Sequence, residues 1–279
     1  MGTPSVFASG EYGIFEGSPR DRVVLEEYKR LGHWAKDLVD LMVGRLFAGG
    51  SGTLIDIGAN IGLVCVPVIE RTAARAICFE PEPENFSYLQ RNVSRHGLDA
   101  RVRCCALACH ESSGQLPLVL SEDNLGDHRL QRTAASVHSE QRVILVETQR
   151  LDDVLRHEEL AHPIVMKVDA QGSEVGIFAG AEQTLARTDY LITEYWPRGI
   201  VDHGDNAKGF EHYMRGFPFG AVLHLLPLPE PLHSSAYVFD QLSWIAHDGT
   251  DPGFFDMLFS RHWQLPSPSP SPPNPKPTK

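Results

Sequence analysis

The residues of this chain that could do chemistry stand at the ends of short apolar runs. The first group is Asp56-Ile-Gly58-Ala-Asn60-Ile-Gly62, directly after Thr53–Ile57. A strand that turns tightly into a helix needs glycine where φ becomes positive or the backbone approaches a ligand closely. Asn60 is the non-glycine type that best tolerates the left-handed region. Asp56 can accept from an amine or from the N–H groups of the turn itself. The spacing is G-x-x-x-G, not the G-x-G-x-x-G that cradles a dinucleotide pyrophosphate. A second run, Arg75–Phe79, ends at Glu80-Pro81. A carboxylate there either accepts from both hydroxyls of a ribose or caps the helix that follows.

Two acids on neighbouring strand ends, with no pyrophosphate cradle, best fit a nucleoside that carries a positive charge. S-adenosylmethionine is such a ligand. Two further runs end in groups suited to an acceptor: Lys167, Asp169, Gln171 and Gly172, then Glu194, Tyr195 and Trp196. In an open α/β sheet, ligands bind outside the carboxyl ends of the strands. Lys167 and Asp169, two apart, share one face of a strand. Asp169 either takes or orients an acceptor proton, or forms an ion pair with Lys167 that would weaken it as a base. Ser173 and Glu174 open a helix and suit capping. Glu194 faces either an acceptor or, with Asp169, a metal for which no third ligand is identifiable, so no metal is expected. Asn124 and His128 belong to a polar excursion that either reaches over the ligands or simply turns. His203, His212 and His224 are bases only if folding brings them to the pocket. Tyr195-Trp196-Pro197 and Phe217-Pro218-Phe219 either wall the acceptor pocket or fill the core.

The elements needed to hold these groups follow from periodicity. Val23, Val24, Glu27, Tyr28 and Leu31 precede Gly32, and Trp34, Leu38, Leu41, Met42 and Leu46 recur at helical spacing until Gly49, Gly50 and Gly52. From Thr53, short apolar strands alternate with amphipathic stretches: Thr53–Ile57, a helix over Leu63–Glu70, Arg75–Phe79, a helix from about Glu82 to His96, and Val102–Leu107. Ile164–Val168, a helix over Glu174–Leu185, and Leu191–Tyr195 resume the pattern. This is the signature of βαβ units and a parallel sheet. Leu116–Leu120 and Val143–Thr148 read as strands of an excursion, and Ala221–Leu226 with Leu242–Ala246 as a closing hairpin. The organisation expected is an N-terminal extension and covering helix (1–50), a ligand-binding α/β domain (51–262) and a disordered proline-rich tail (263–279). Residues 266–279 hold seven of the 20 prolines and no other apolar side chain, as an extended appendage would.

With these residues in place, the chain resembles the FkbM family of methyltransferases. DIGANIG (56–62), FEPEPENF (79–86), the T-x-x-LDD segment from Thr148 to Asp153, and KVDAQGSE (167–174) match it in order and spacing. LEEYKRLGHWAKDLVDLM (25–42) is similar to the family's lead-in to the first strand, with His33 where an acid is more usual. The resemblance implies a class I, Rossmann-like α/β fold: a mostly parallel seven-stranded sheet with helices on both faces behind an N-terminal helical lead-in. It also implies S-adenosylmethionine-dependent O-methylation of a sugar or natural-product hydroxyl. The alternative is a partner protein that binds S-adenosylmethionine without transfer; a nicotinamide oxidoreductase is disfavoured by the missing G-x-G-x-x-G. Candidates for the donor side are Asp56, Gly58, Asn60, Gly62, Glu80, Pro81, Asn85 and Ala106. For catalysis they are Asp169, Glu194 and Lys167, and for the acceptor side Asn124, His128, Gln171, Tyr195 and Trp196.

Composition bounds the rest. The 279 residues carry 25 Lys+Arg against 36 Asp+Glu, a net charge of −11, and a pI near 5.6. An acidic field disfavours nucleic acid and anionic membranes. No apolar run reaches the length of a membrane span, and the first ten residues have neither a basic region nor an apolar core like those of a signal peptide. Val6 stands where a myristoylation signal has Ser or Thr. Five cysteines (65, 78, 104, 105 and 109), an odd number without zinc spacing, point to a reducing interior. The expectation is a cytoplasmic protein acting on a small hydroxyl acceptor.

Overall fold

The computed structural model describes residues 5–133, 141–223, 228–245 and 253–268. The N-terminal segment is a hairpin, β1 (Val6–Gly10) and β2 (Gly13–Gly17), then helices α1 (Val24–Leu31) and α2 (Lys36–Leu41), the latter continued by a π-helical turn over Met42–Leu46. The first half of the sheet follows: β3 (Thr53–Ile57), α3 (Cys65–Glu70), β4 (Arg75–Phe79), α4 (Pro83–Arg95) and β5 (Val102–Cys105). An excursion adds β6 (Ala108–Cys109), β7 (Gly114–Leu120), β8 (Arg129–Leu130), β9 (Arg142–Gln149) and α5 (Leu151–Val154). The second half holds β10 (Ile164–Val168), α6 (Glu174–Ala179), α7 (Glu182–Arg187), β11 (Tyr190–Tyr195), α8 (Pro197–Asp202) and α9 (Ala207–Met214). It closes with β12 (Phe219–Val222), β13 (His233–Ser234), α10 (Ser235–Ile245) and β14 (Phe255–Ser260).

The main sheet runs β13-β12-β14-β11-β10-β3-β4-β5. Its neighbours from β11 to β5 are parallel, whereas β14, β12 and β13 are antiparallel. It has eight strands where seven were expected, because the two-residue β13 adds to the edge. Every residue of β3, β10 and β11 is buried, as befits strands covered on both faces. Alternation along β10 shows the two layers. Ile164, Met166 and Val168 face α6, α9 and α10, while Val165 faces the hairpin, α3 and α4. The excursion makes its own sheet, β6-β9-β7-β8, over a small core of Ala108, Leu118, Leu130 and Val146.

Several elements depart from their sequence reading for local reasons. Leu242–Ile245 is the end of α10, not a strand, and Ala246 lies outside the described residues. Val238 and Leu242, one helical turn apart, are both buried against the sheet, and β14 takes the expected strand's place. The closing strand read over Ala221–Leu226 is formed at Phe219–Val222, and residues 224–227 lie outside the described residues. The helix over Glu174–Leu185 breaks at Gly180, where a Cβ would stand 2.1 Å from the carbonyl oxygen of His110. The covering helix divides at Gly32, whose φ of 78° ends α1. Past residue 262, Leu265 is buried in the core and Leu232 donates its backbone N–H to Trp263; residues 269–279 are outside the described range.

Candidate active site

Strand order reverses between β3 and β10: β4 and β5 lie to one side, β11 and β14 to the other. Such a switch point parts the loops that leave the strands and opens a crevice. Here it opens a cavity of about 550 Å³, within the range of small-molecule sites. Its lining includes Gly58, Ala59, Asn60, Glu80, Pro81, Asn85, Asn124, His128, Lys167, Asp169, Gln171 and Glu194.

The floor is the turn after β3. Gly58 (φ 76°), Asn60 (φ 50°) and Gly62 (φ 93°) all adopt positive φ, the conformation their types were read to supply. The Gly58 and Ala59 N–H groups donate to the Phe79 carbonyl at 3.0 Å each, fixing the turn to the end of β4. Glu80, next in the chain, accepts from the Asn60 N–H through Oε2 and from the Glu82 N–H through Oε1, both at 2.9 Å. Each carboxylate oxygen thus keeps lone-pair capacity for a ligand hydroxyl. Burial pushes the Glu80 carboxyl up to about 7. Glu82, not Glu80, caps α4, accepting from the Asn85 N–H at 2.7 Å.

Asp56 and Gly62 do not line the cavity. Asp56 is fully buried behind the turn, in register with Lys167 of β10, and the Lys167 ammonium lies 3.1 Å from its Oδ1. Lys167 also donates to the Gly58 carbonyl at 3.2 Å and stands 3.6 Å from Asp169 Oδ2. The direct ligand contact expected of Asp56 therefore gives way to a contact with the lysine beneath the turn. Burial raises the Asp56 carboxyl despite that cation. Burial lowers the lysine, but the attraction of Asp56 and Asp169 outweighs it and the net direction is up. Asp56, Cys65 and Cys78 also offer ligand atoms within 4.8 Å of one another. The ammonium already beside Asp56 opposes a metal cation there.

The opposite wall is made by the ends of β10, β11 and β14. The Asp169 carboxylate is 45% exposed and accepts from Gln171 Nε2 at 3.0 Å, in a turn that Gln171 (φ 54°) and Gly172 (φ 102°) shape. Glu174, fully buried, accepts from the Ala170 and Gly172 N–H groups and braces that turn. Glu194 is 6% exposed, and its Oε2 has no donor among the described residues. Burial, with Asp169, Glu174 and Asp256 nearby, pushes its carboxyl up to about 9.

The excursion supplies the roof. Asn60 and Asn85 both donate side-chain N–H groups to the Leu125 carbonyl, at 2.9 and 2.8 Å. His128 accepts through Nδ1 from the Ser121 N–H, and burial lowers it to about 4, so it is neutral. Ala106, Tyr195 and Trp196 are not in the lining. Tyr195 packs on Phe210 with ring centroids 4.8 Å apart, and Trp196 lies under the Arg129 guanidinium. His203 is buried against His110, their Nε2 atoms 3.4 Å apart; His212 is absent from the lining, and His224 lies outside the described residues. Glu27, Trp34, Leu125 and Asp256 do line the cavity, though sequence reasoning passed them over. Only the helical spacing that includes Glu27 and Trp34 pointed at the first two.

Comparison with known proteins finds methyltransferases. The model of a family described as the methyltransferase FkbM domain matches residues 56–227. A protein of Sinorhizobium fredii named 2-O-methyltransferase NoeI is 29% identical over 186 residues, 62% of this chain and 70% of that protein. One of Haloferax volcanii, named hexuronic acid methyltransferase AglP, is 27% identical over 145 residues, 50% of this chain and 54% of that one. Among solved structures, the FkbM methyltransferase of Methylobacillus flagellatus is 15% identical with a TM-score of 0.45, over 75% of this chain and 44% of that one.

Proposed function

Because the chain belongs to the FkbM methyltransferase family, we propose that it methylates a hydroxyl group of a sugar or natural-product acceptor, with S-adenosylmethionine as donor. The observation that carries this reading is one cavity with Glu80 on the β4 side of the Gly58 turn and Asp169 on the β10 side. The donor residues fit a nucleoside: Glu80 has acceptor capacity for a ribose, Gly58 leaves the turn free of side-chain bulk, and Asn85 borders the same space. When bound, S-adenosylmethionine supplies an electrophilic methyl group on a sulfonium.

The chain's own residues supply the rest. Asp169 is the one carboxylate of the β10–β11 wall with substantial exposure, and Gln171 holds one of its oxygens. It accepts the proton that an acceptor hydroxyl loses as its oxygen takes the methyl. Lys167 lies closer to Asp56, at 3.1 Å, than to Asp169, at 3.6 Å. Loop 121–130, tied to the turn through the Leu125 carbonyl, lines the cavity with Asn124, Leu125 and His128. The NoeI and AglP names fit oxygen transfer and a sugar-derived acceptor.

Asp169→Asn keeps size and hydrogen-bonding capacity but cannot take a proton. With labelled S-adenosylmethionine and an accepted glycoside, its turnover should fall about 10²–10⁴-fold, with donor affinity within a few-fold of the parent. Near-normal turnover in a folded variant contradicts the assignment.

A further inference from the structure

Asp169 and Glu194 each follow directly on the Val168–Thr193 pair of the parallel strands β10 and β11. The Asp169 N–H donates to the Ile57 carbonyl at 3.2 Å and so continues the β3–β10 ladder. The two acids therefore stand side by side on one face, on backbones about 4.8 Å apart, and both line the cavity. Two carboxylates so placed do not both ionise cheaply, and the proton goes to the less hydrated one. The Asp169 side chain is 45% exposed. Glu194 is buried, and its Oε2 has no donor among the described residues. Lys167, the cation beside this wall, pairs with Asp56 and Asp169. An ionised Glu194 would hold a buried charge with one oxygen unsolvated. The neutral acid leaves only a carbonyl oxygen at Oε2 and carries its proton on Oε1, on the cavity side.

We propose that Glu194 recognises the acceptor as a neutral carboxylic acid, donating its O–H to an oxygen on the carbon next to the hydroxyl that Asp169 deprotonates. The acceptor class is then a vicinal diol, as on a sugar ring, and not an isolated alcohol or an amino alcohol. This rests on the methyltransferase reading above. The division of labour follows from the two exposures: the hydrated acid takes a proton, and the buried one gives a hydrogen bond. An ammonium in place of the second oxygen has no lone pair with which to accept. Glu194 keeps its proton throughout, so it is a specificity residue and not a second base. The groups facing it are Asp169 and Lys167 from the β10 segment, Glu174 from α6 and Asp256 from β14. Its O–H is present below about 9 and lost above, so recognition of the second oxygen should fade as pH rises through that value.

Two measurements on the full chain test this. In the first, carbon-13 NMR of protein labelled at its glutamate carboxyl carbons, with Glu194→Gln to assign the signal, should show Glu194 still protonated at pH 7.5. The second is calorimetry at pH 7.5 on protein saturated with S-adenosylhomocysteine. Its titrants are a methyl glycoside, its monodeoxy analogues, and the amino analogue at each position where deletion weakens binding. Deletion should matter at two adjacent positions, by about three- to tenfold each for one hydrogen bond, and the amine should not restore the contact at the Glu194 position. Glu194→Met should erase the penalty at that position only, whereas Glu194→Gln, which keeps an N–H donor, should retain it. At pH 10 the parent should lose the same penalty and Glu194→Gln should not. That comparison within the parent needs no variant to fold. An ionised Glu194 at pH 7.5, tighter binding of the amine, or a penalty unchanged in Glu194→Met or at pH 10 overturns the proposal. If S-adenosylhomocysteine fails to bind, the donor reading falls instead, and the NMR signal still decides whether Glu194 is neutral.

Discussion

Glu80 has two tasks. It braces the turn through the Asn60 and Glu82 N–H groups, and in the proposed reading its remaining lone pairs accept from a ribose. Truncation at Glu80 would leave the Asn60 and Glu82 N–H groups without this acceptor. Glu80→Gln is the cleaner probe. It should weaken S-adenosylhomocysteine binding roughly tenfold or more, because hydrogen bonds to charged groups are worth about 1.5–3 kcal/mol. The raised Glu80 carboxyl, about 7, sets the sign with pH. The protonated form favours the folded, empty protein, and that contribution fades as pH rises through 7. Ribose hydroxyls favour the carboxylate, so the affinity of the parent protein should rise between pH 6 and 8 and that of Glu80→Gln should stay flatter. Calorimetric titration across that range checks both; equal affinity in the two proteins would refute the role. Asp169, Glu194 and Glu80 were legible in the sequence because each follows a clear apolar run. Asp256 was not, since its strand was read elsewhere. The partner of Asp56 was not either, because register between β3 and β10 cannot be read along one chain.

At the scale of elements, the β3–α3 turn is where sequence and structure agree best. In that turn Gly58, Asn60 and Gly62 all take the positive φ their types tolerate. Gly58 adds a reason visible only in three dimensions: a Cβ there would lie 2.0 Å from the Asp169 carbonyl. Gly58→Ala should therefore cost at least the roughly 1–2 kcal/mol of a left-handed non-glycine residue, and it should displace Asp169. Urea unfolding and donor titration would register both losses, and an unchanged midpoint would mean that the two strand ends are not so closely apposed. The T-x-x-LDD segment teaches the converse. Asp152 accepts from the Gln183 and Thr184 N–H groups and from the Thr184 hydroxyl, so a motif that marks the family serves here to start α7. The α10 segment misread as a strand shows that a short apolar run carries no period of its own. The break at Gly180 depended on His110, far away in sequence.

Across the whole molecule, distant segments converge on the switch point. Asn92, fully buried in α4, bonds the Glu16 backbone of the hairpin and the Ile61 carbonyl of the turn, tying the N-terminal segment to the cavity floor. Arg22 donates its N–H to Asp123, which joins the same segment to the roof. No helix among the described residues is long and apolar enough to cross a membrane. In the proposed reading this convergence builds a site for a nucleoside methyl donor and not for a dinucleotide. Titration of the intact protein with S-adenosylhomocysteine and, separately, with NADH tests it most directly. Saturable one-to-one binding of S-adenosylhomocysteine with no saturable binding of NADH is the expected result; NADH binding as tightly, or S-adenosylhomocysteine not binding, would overturn the methyl-donor assignment.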